Sequence, residues 1–402
     1  MDSADVKALI TRAFELGPSM AAFTEKMISI ASENPPGNAY RECVGMLGEE
    51  LRSMGIPHQV FESGHSRYCL VGEYGSAGPL IYFHGHYDVV PACSPDQLTP
   101  RRDGNRIWGR GSSDMKSGLA AMLGAIKLLR SGATKPAGRV GIVLVPDEET
   151  AGQGGTPYLI RSELIDRAAL GMFMPECASG TVWNSNRGAI SLRIRIKGKP
   201  AHVGLHFQGI NAFEKMVQVA GELSKLEREV RPQRTAYNVT PEAARNSILL
   251  VGGRVRGGTN FNLVPGECEF TVDRRINPEE SLKDERRRLF DVFDRARQAG
   301  VDLDVETLQE GESSGTHEDH PVAQVLSRCI KAVTGKAPSF EMCPGLCEIR
   351  YYASLGVPAF AYGPGLLEVA HGPEEYVQVD EICRSAAVYA LVAGELLGGS
   401  VA

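Results

Sequence analysis

The chain has 402 residues, 43% hydrophobic and 23% charged, with a formal net charge of -6. That composition is ordinary for a globular protein, the length exceeds what one core usually fills, and the mild acidity excludes a nucleic-acid surface. Nine scattered cysteines argue for reduced thiols, and no stretch supplies the about 20 apolar residues a bilayer needs, so a cytoplasmic protein with no membrane contact is expected.

Helical spacing covers 4–33 and 39–54, separated by Pro35-Pro36-Gly37, and strand-like runs follow at 57–62, 67–74 and 79–84. The last of these runs into His84-Gly85-His86-Tyr87-Asp88. An apolar strand that stops at polar residues places them where open α/β sheets bind ligands. Residues 92–112 read as a surface connection, and 115–129 as a helix with Leu119, Met122, Leu123, Ile126 and Leu129 on one face. A buried strand at 140–145 ends at Asp147-Glu148-Glu149, followed by a helix at 156–164 and a strand at 170–174. Strands and helices alternate, which predicts an α/β layered domain.

The pattern changes near Asn186. Residues 190–197 (ISLRIRIK) alternate strictly, the mark of a sheet with one wet face. A helix at 209–228, strands at 247–256 and 267–276, a helix at 280–298 and a strand at 301–307 complete the β-α-β-β-α-β order of a ferredoxin-like unit. Helices at 321–333, 348–355 and 380–397 and a strand at 357–362 then resume the earlier style. The expected plan is a discontinuous α/β catalytic domain, 1–186 and 309–402, with a mostly parallel sheet, and an inserted α+β lid or dimerisation domain, 187–308.

Chemistry-bearing residues fall just past buried strands or at a helix start: His86 with Asp88, Asp114, Glu148 with Glu149, Glu176, and His371. Taken singly, Asp114 reads as a helix N-cap and Glu148-Glu149 as a solvated pair. Gathered at one sheet edge, they would repel one another or lie unpaired without a cation. Two divalent ions about 3.5 Å apart, sharing a hydroxide, would resolve that. His86, Asp114, Glu149, Glu176 and His371 can supply one carboxylate bridge and two further ligands per metal. Glu148 remains as a general base, and Asp88 as the group that holds the other N–H of His86. His84 is a neighbour of the site.

This set resembles the dinuclear-zinc metallopeptidase family that contains aminoacylase, carboxypeptidase G, acetylornithine deacetylase and succinyl-diaminopimelate desuccinylase. His86-Tyr87-Asp88 matches its His-x-Asp, Gly109 to Gly118 its glycine-rich segment with Asp-Met-Lys, Glu148-Glu149 its acidic pair, and His371-Gly372 its late His-Gly. The resemblance implies that Asp114 bridges, often with a cis peptide after it, that His86 and Glu176 hold one zinc, and that Glu149 and His371 hold the other. It implies that His202, in the insert, reaches a partner subunit's active site to stabilise the oxyanion, and that Asn262 and Arg275 hold a substrate carboxylate. Glu348 and Arg350 keep the acid and base of the family's Gly-Thr-Ser-Asp-Ala-Arg segment, which lines the substrate side in that family and makes both substrate-binding candidates, whereas Leu346 and Cys347 replace its small hydroxyl residues. His206 is a further candidate for touching substrate.

The expectation is a metal-dependent amidohydrolase with two divalent ions, zinc first and manganese or cobalt as alternates, and a homodimer through the insert. An N-acyl amino acid is the favoured small substrate. Alternatives are a dipeptidase or carboxypeptidase, and a hydrolytic deaminase for an aromatic amine, suggested by Leu346, Cys347, Leu366 and Leu367. From another class comes a catalytically silent binding relative.

Overall fold

The computed structural model describes residues 3–132 and 136–398 and divides into two compact units, one spanning 1–184, 315–341 and 348–402, the other 185–314 and 342–347. The main sheet contains β1 (His58–Glu62), β2 (Tyr68–Tyr74), β3 (Leu80–His86), β4 (Arg139–Val145), β5 (Gly171–Met174), β6 (Val182–Asn186) and β7 (Ala359–Ala361), in the order β1-β2-β4-β3-β5-β7-β6. The central strands β4, β3, β5 and β7 run parallel, as their unbroken apolar runs require for burial on both faces. β1, β2 and β6 join antiparallel at the flanks.

Helices Lys116–Arg130 and Val379–Leu396 pack against each other, and Lys116–Arg130 also lies against β3. Leu119, Leu123, Ile126 and Leu129 are buried there, each contributing about 1.5–3 kcal/mol relative to exposure. A Cβ at Gly85 would sit 2.5 Å from Leu119 Cδ2 and 2.9 Å from Met115 Cε, so glycine between His84 and His86 is what lets this helix lie so close to β3.

Two expectations need correction, and two strands are additional. The helical pattern at 4–33 is two helices, Ser3–Glu15 and Gly17–Ile28, because Pro18 in the first turn of the second has no N–H with which to continue the first. The stretch 92–112 is not merely a surface connection. It forms a hairpin, Arg101–Asp103 with Arg106–Trp108, joined by strand Tyr376–Gln378, and it buries Ile107 and Arg110. Strands Val182–Asn186 and Phe340–Cys343 carried no recognised sequence signal.

The second unit is an antiparallel four-stranded sheet in the order Ile248–Gly257, Glu267–Ile276, Gly188–Lys197, Asp302–Gly311. Ile190, Leu192, Ile194 and Ile196 point to one face, where helices Ala212–Val230 and Leu282–Gln298 close the core. The alternate residues form an ion-pair ladder on the other face, with Arg193 2.8 Å from Glu306 and Lys197 2.7 Å from Asp304. The protein thus combines a layered α/β unit with a separate ferredoxin-like α+β unit. No described helix is long and apolar enough to cross a membrane.

Candidate metal centre

β3 delivers His86 to the carboxyl edge of the parallel strands with its ring fully buried. Its Nε2 lies 3.1 Å from Asp114 Oδ1 and 3.4 Å from Glu176 Oε1. The other oxygen of Asp114, Oδ2, lies 3.2 Å from His371 Nε2, and that nitrogen is also 3.2 Å from Glu149 Oε2. Asp114 therefore stands between two imidazole–carboxylate pairs, one on each oxygen. It is not a helix cap: the helix starts at Lys116, its N-cap is Met115, and no side chain caps it. The Asp114–Met115 peptide is cis. Cys177, one residue past Glu176, puts Sγ 3.6 Å from Asp114 Oδ2.

The electrostatics of this cluster are lopsided. Burial alone would raise Asp114, but hydrogen bonds from His371 and His86 outweigh it and hold its carboxyl below the ordinary range. Burial lowers the proton affinity of His86, yet Asp114, Asp88 and Glu176 around the ring raise it well above the usual histidine value. Burial and the Asp114 charge push Glu176 up, and push Glu149 up to about 7. Burial lifts Glu148 well above the usual carboxylate range, opposed by the His86 charge and aided by Glu149 and Glu176. Among the described residues no lysine or arginine pairs with Asp114, Glu149 or Glu176. Hard carboxylate oxygens and imidazole nitrogens, crowded together with no lysine or arginine paired to them among the described residues, fit a pair of divalent metal ions.

Asp88 is fully buried and does more than orient a ring. His86 Nδ1 lies 3.0 Å from the backbone carbonyl of Asp88 and 3.3 Å from its Oδ1. The Asp88 carboxylate also accepts the backbone N–H of Glu148 at 3.3 Å, that of Glu149 at 3.2 Å, and Asn34 Nδ2 at 2.8 Å. One carboxylate thus fixes both His86 and the acidic pair. Asn34 was missed in the sequence, where only its position before Pro35-Pro36 marks it.

Other candidates are placed more variously. His84 is completely buried, its Nε2 2.5 Å from Glu348 Oε2 and its Nδ1 3.1 Å from the Tyr352 hydroxyl. Glu348, expected to meet substrate, is therefore already engaged by His84. Arg350 is buried, donates to the Tyr351 hydroxyl at 2.8 Å, and has no hydrogen bond at Nε or Nη1 among the described residues. In the second unit, His202 at the start of the short helical turn Val203–Gln208 and His206 within it are both exposed. His202 Nδ1 accepts from Gly204 N–H at 3.1 Å, which leaves the proton on Nε2 as an outward donor. Asn262 is half-buried, its carbonyl accepting from Val203 N–H at 3.0 Å. Arg275 is gripped by Asp273, Nε at 2.9 Å and Nη2 at 3.0 Å, two residues away on the same strand face.

Residues 82–395 match the peptidase family M20/M25/M40. The chain belongs to the M20 peptidase family. Among its relatives, succinyl-diaminopimelate desuccinylase of Nitrosomonas eutropha is 26% identical over 369 residues, covering 88% of this chain and 93% of the relative. Among solved structures, the Saccharomyces cerevisiae dipeptidase Dug1p has a TM-score of 0.76 at 14% identity, covering 98% of this chain and 99% of that one. A dinuclear metal-binding M20 peptidase from Bacillus subtilis has a TM-score of 0.67 at 16% identity, with 98% and 99% covered. As an M20 protein the chain is a metal-dependent hydrolase acting on carbon–nitrogen bonds, a class that takes small substrates.

Proposed function

We propose that the chain hydrolyses the amide bond of a small carboxylate-bearing substrate, most simply an N-acyl amino acid, with Glu148 as general base. The observation that carries this reading is the state of Glu148. It stands beside the donor cluster, no hydrogen bond or ion pair among the described residues reaches its carboxylate, and burial has raised its proton affinity. Those are the properties of a group free to take and return a proton.

His86 and Glu176 would hold one ion, Glu149 and His371 the other, with Asp114 between them. Such a pair would lower the pKa of water and polarise a carbonyl. Glu148 removes a proton from the attacking water and passes it to the departing nitrogen, so that water and amide become carboxylic acid and amine. His202 donates through Nε2–H to the developing oxyanion. The open Nε and Nη1 of Arg350 are donors for a substrate carboxylate, and Asn262 and Arg275 are further candidates. Arg275 would have to share its fork with Asp273.

The assembly we infer is a homodimer through the second unit, in which His202 serves the centre of a second copy. Strand Ile248–Gly257 lies at a sheet edge and exposes Ile248, Leu250 and Val255, while Phe213 and Val217 are exposed on helix Ala212–Val230. An apolar, unpaired edge is a template for a second strand. Zinc is the expected metal, with manganese and cobalt as alternates.

A hydrolysis screen tests the reading: N-acetyl and N-succinyl amino acids, dipeptides and aryl amines, each with Zn²⁺, Mn²⁺ and Co²⁺. Turnover of the N-acyl amino acids is expected, and N-succinyl substrates come first because the relatives' name denotes removal of a succinyl group. Cleavage of dipeptides alone, or of aryl amines alone, would replace the deacylase assignment.

A further inference from the structure

The two histidines of the centre are anchored by different means. His86 is locked through its ring, Nδ1 lying 3.0 Å from the Asp88 carbonyl on a fully buried strand. His371 has a side chain 51% exposed, on a loop where its own φ is 62°, and no hydrogen bond among the described residues reaches its Nδ1. What holds it is its backbone. Its carbonyl oxygen accepts from Arg110 Nη2 at 3.1 Å, and the next two carbonyls, of Gly372 and Pro373, accept from Gln97 Nε2 at 2.8 Å and 3.0 Å.

Arg110 is itself held from the other side. It is 1% exposed, and its Nη1 lies 2.5 Å from Glu375 Oε2. The other oxygen of Glu375, Oε1, accepts the backbone N–H of Ser113 at 2.9 Å and of Asp114 at 3.1 Å. One buried ion pair therefore ties the backbone of Asp114 to the backbone of His371. Among the described residues no such ion pair links it to His86, Glu176 or their strands.

We propose that Arg110 and Glu375 are positioning residues for one half of the metal centre, the His371–Glu149 half, and that this half loses its ion first when the pair is broken. The inference rests on the two-metal reading above. Removing a group that orients a ligand typically weakens metal binding about 10–100-fold. The weakening falls on His371, because the backbone clamp is its support, while His86 keeps its ring contact. The charge of the pair is needed as well as its shape, since Glu375→Gln retains an acceptor for Ser113 and Asp114 but loses the ionic grip on Arg110.

The test is a Co²⁺ titration of chelator-stripped full-length protein, followed by visible absorption and by metal content after gel filtration. Wild type is expected to take up two ions, whereas E375Q should bind one at wild-type affinity and the second about 10–100-fold more weakly. In a His371→Ala background, adding E375Q should leave the affinity of the remaining site unchanged. R110K, which cannot reach both Glu375 and the His371 carbonyl with one fork, should reproduce the split and gives the answer if E375Q does not fold. Two unchanged sites in both variants, or equal weakening of both sites, would overturn the proposal. Fewer than two ions on wild type would instead sink the two-metal reading itself, and the proposal with it.

Discussion

Replacing Asp88 by alanine removes the acceptor shared by Asn34 Nδ2, Glu148 N–H and Glu149 N–H, at 2.8, 3.3 and 3.2 Å. A buried donor left without a partner costs about 1–3 kcal/mol; Asn34 Nδ2 keeps Thr150 Oγ1 at 3.1 Å, so the two backbone donors would cost about 2–6 kcal/mol if they simply added. Two of the three bonds are long, and a water can occupy the volume that the carboxylate vacates, which brings the expected loss to about 3–4 kcal/mol. That is a large share of a typical domain's stability of about 5–15 kcal/mol. Urea unfolding of metal-saturated protein, followed by circular dichroism, reads the loss as a shift in midpoint. Asp88→Asn keeps one side-chain oxygen and the backbone carbonyl that holds His86 Nδ1, so it should lose about half as much and leave the His86 ring in place. A loss below about 1 kcal/mol for alanine would show that Asp88 is not the hub described here.

Other consequences are as direct. In metal-stripped protein, burial and the Asp114 charge raise Glu149 to about 7, and hydrogen bonds to Asp114 and Glu149 raise His371 to about 11. Both folded values exceed the ordinary ones, so the stability they contribute is full below the unfolded pKa and is lost as pH rises, from 4.5 to about 7 for Glu149 and from 6.5 to about 11 for His371. The melting temperature of the stripped protein should therefore fall steadily between about pH 5 and pH 9, and saturating metal, which displaces those protons, should flatten the curve. A flat curve for stripped protein would contradict the assigned shifts. His202→Ala should lower kcat about 10²–10³-fold with little change in KM, since an oxyanion donor acts on the transition state; an effect on KM alone would remove it from that role. Arg350→Met should raise KM for carboxylate substrates and spare the corresponding primary amides, which steady-state kinetics on matched pairs will separate.

The parts of the centre that announce themselves in the sequence are those fixed by local physics. His86, Glu149 and Glu176 each follow a buried strand, and Asp114 precedes an apolar helix, so strand and helix signals place them at one edge before any contact is known. The ferredoxin-like order of the second unit was legible for the same reason, because alternation has period two and continuous apolar runs do not. What stayed hidden depends on contacts far apart in the chain. Asn34 meets Asp88 across 54 residues, and Glu375 meets Arg110 across 265, with nothing local that points to either partner. His84, which reads as a neighbour of the site, and Glu348, which reads as a substrate contact, lie 264 residues apart and are each other's partner. Other signals were present and went unused. Pro18 lies in the first turn of a helix and marks the break there, and Asp273 precedes Arg275 by the two residues that put strand side chains on one face.

The central claim is that Glu148 moves the proton and does not hold the metal. Glu148→Gln keeps the size of the side chain and removes its basicity, so metal content by atomic absorption and turnover of the best N-acyl substrate should be measured on one preparation. Metal content equal to that of wild type is expected, together with a fall in kcat of at least about 10²-fold. Loss of metal in step with activity, or turnover within about tenfold of wild type, would contradict it.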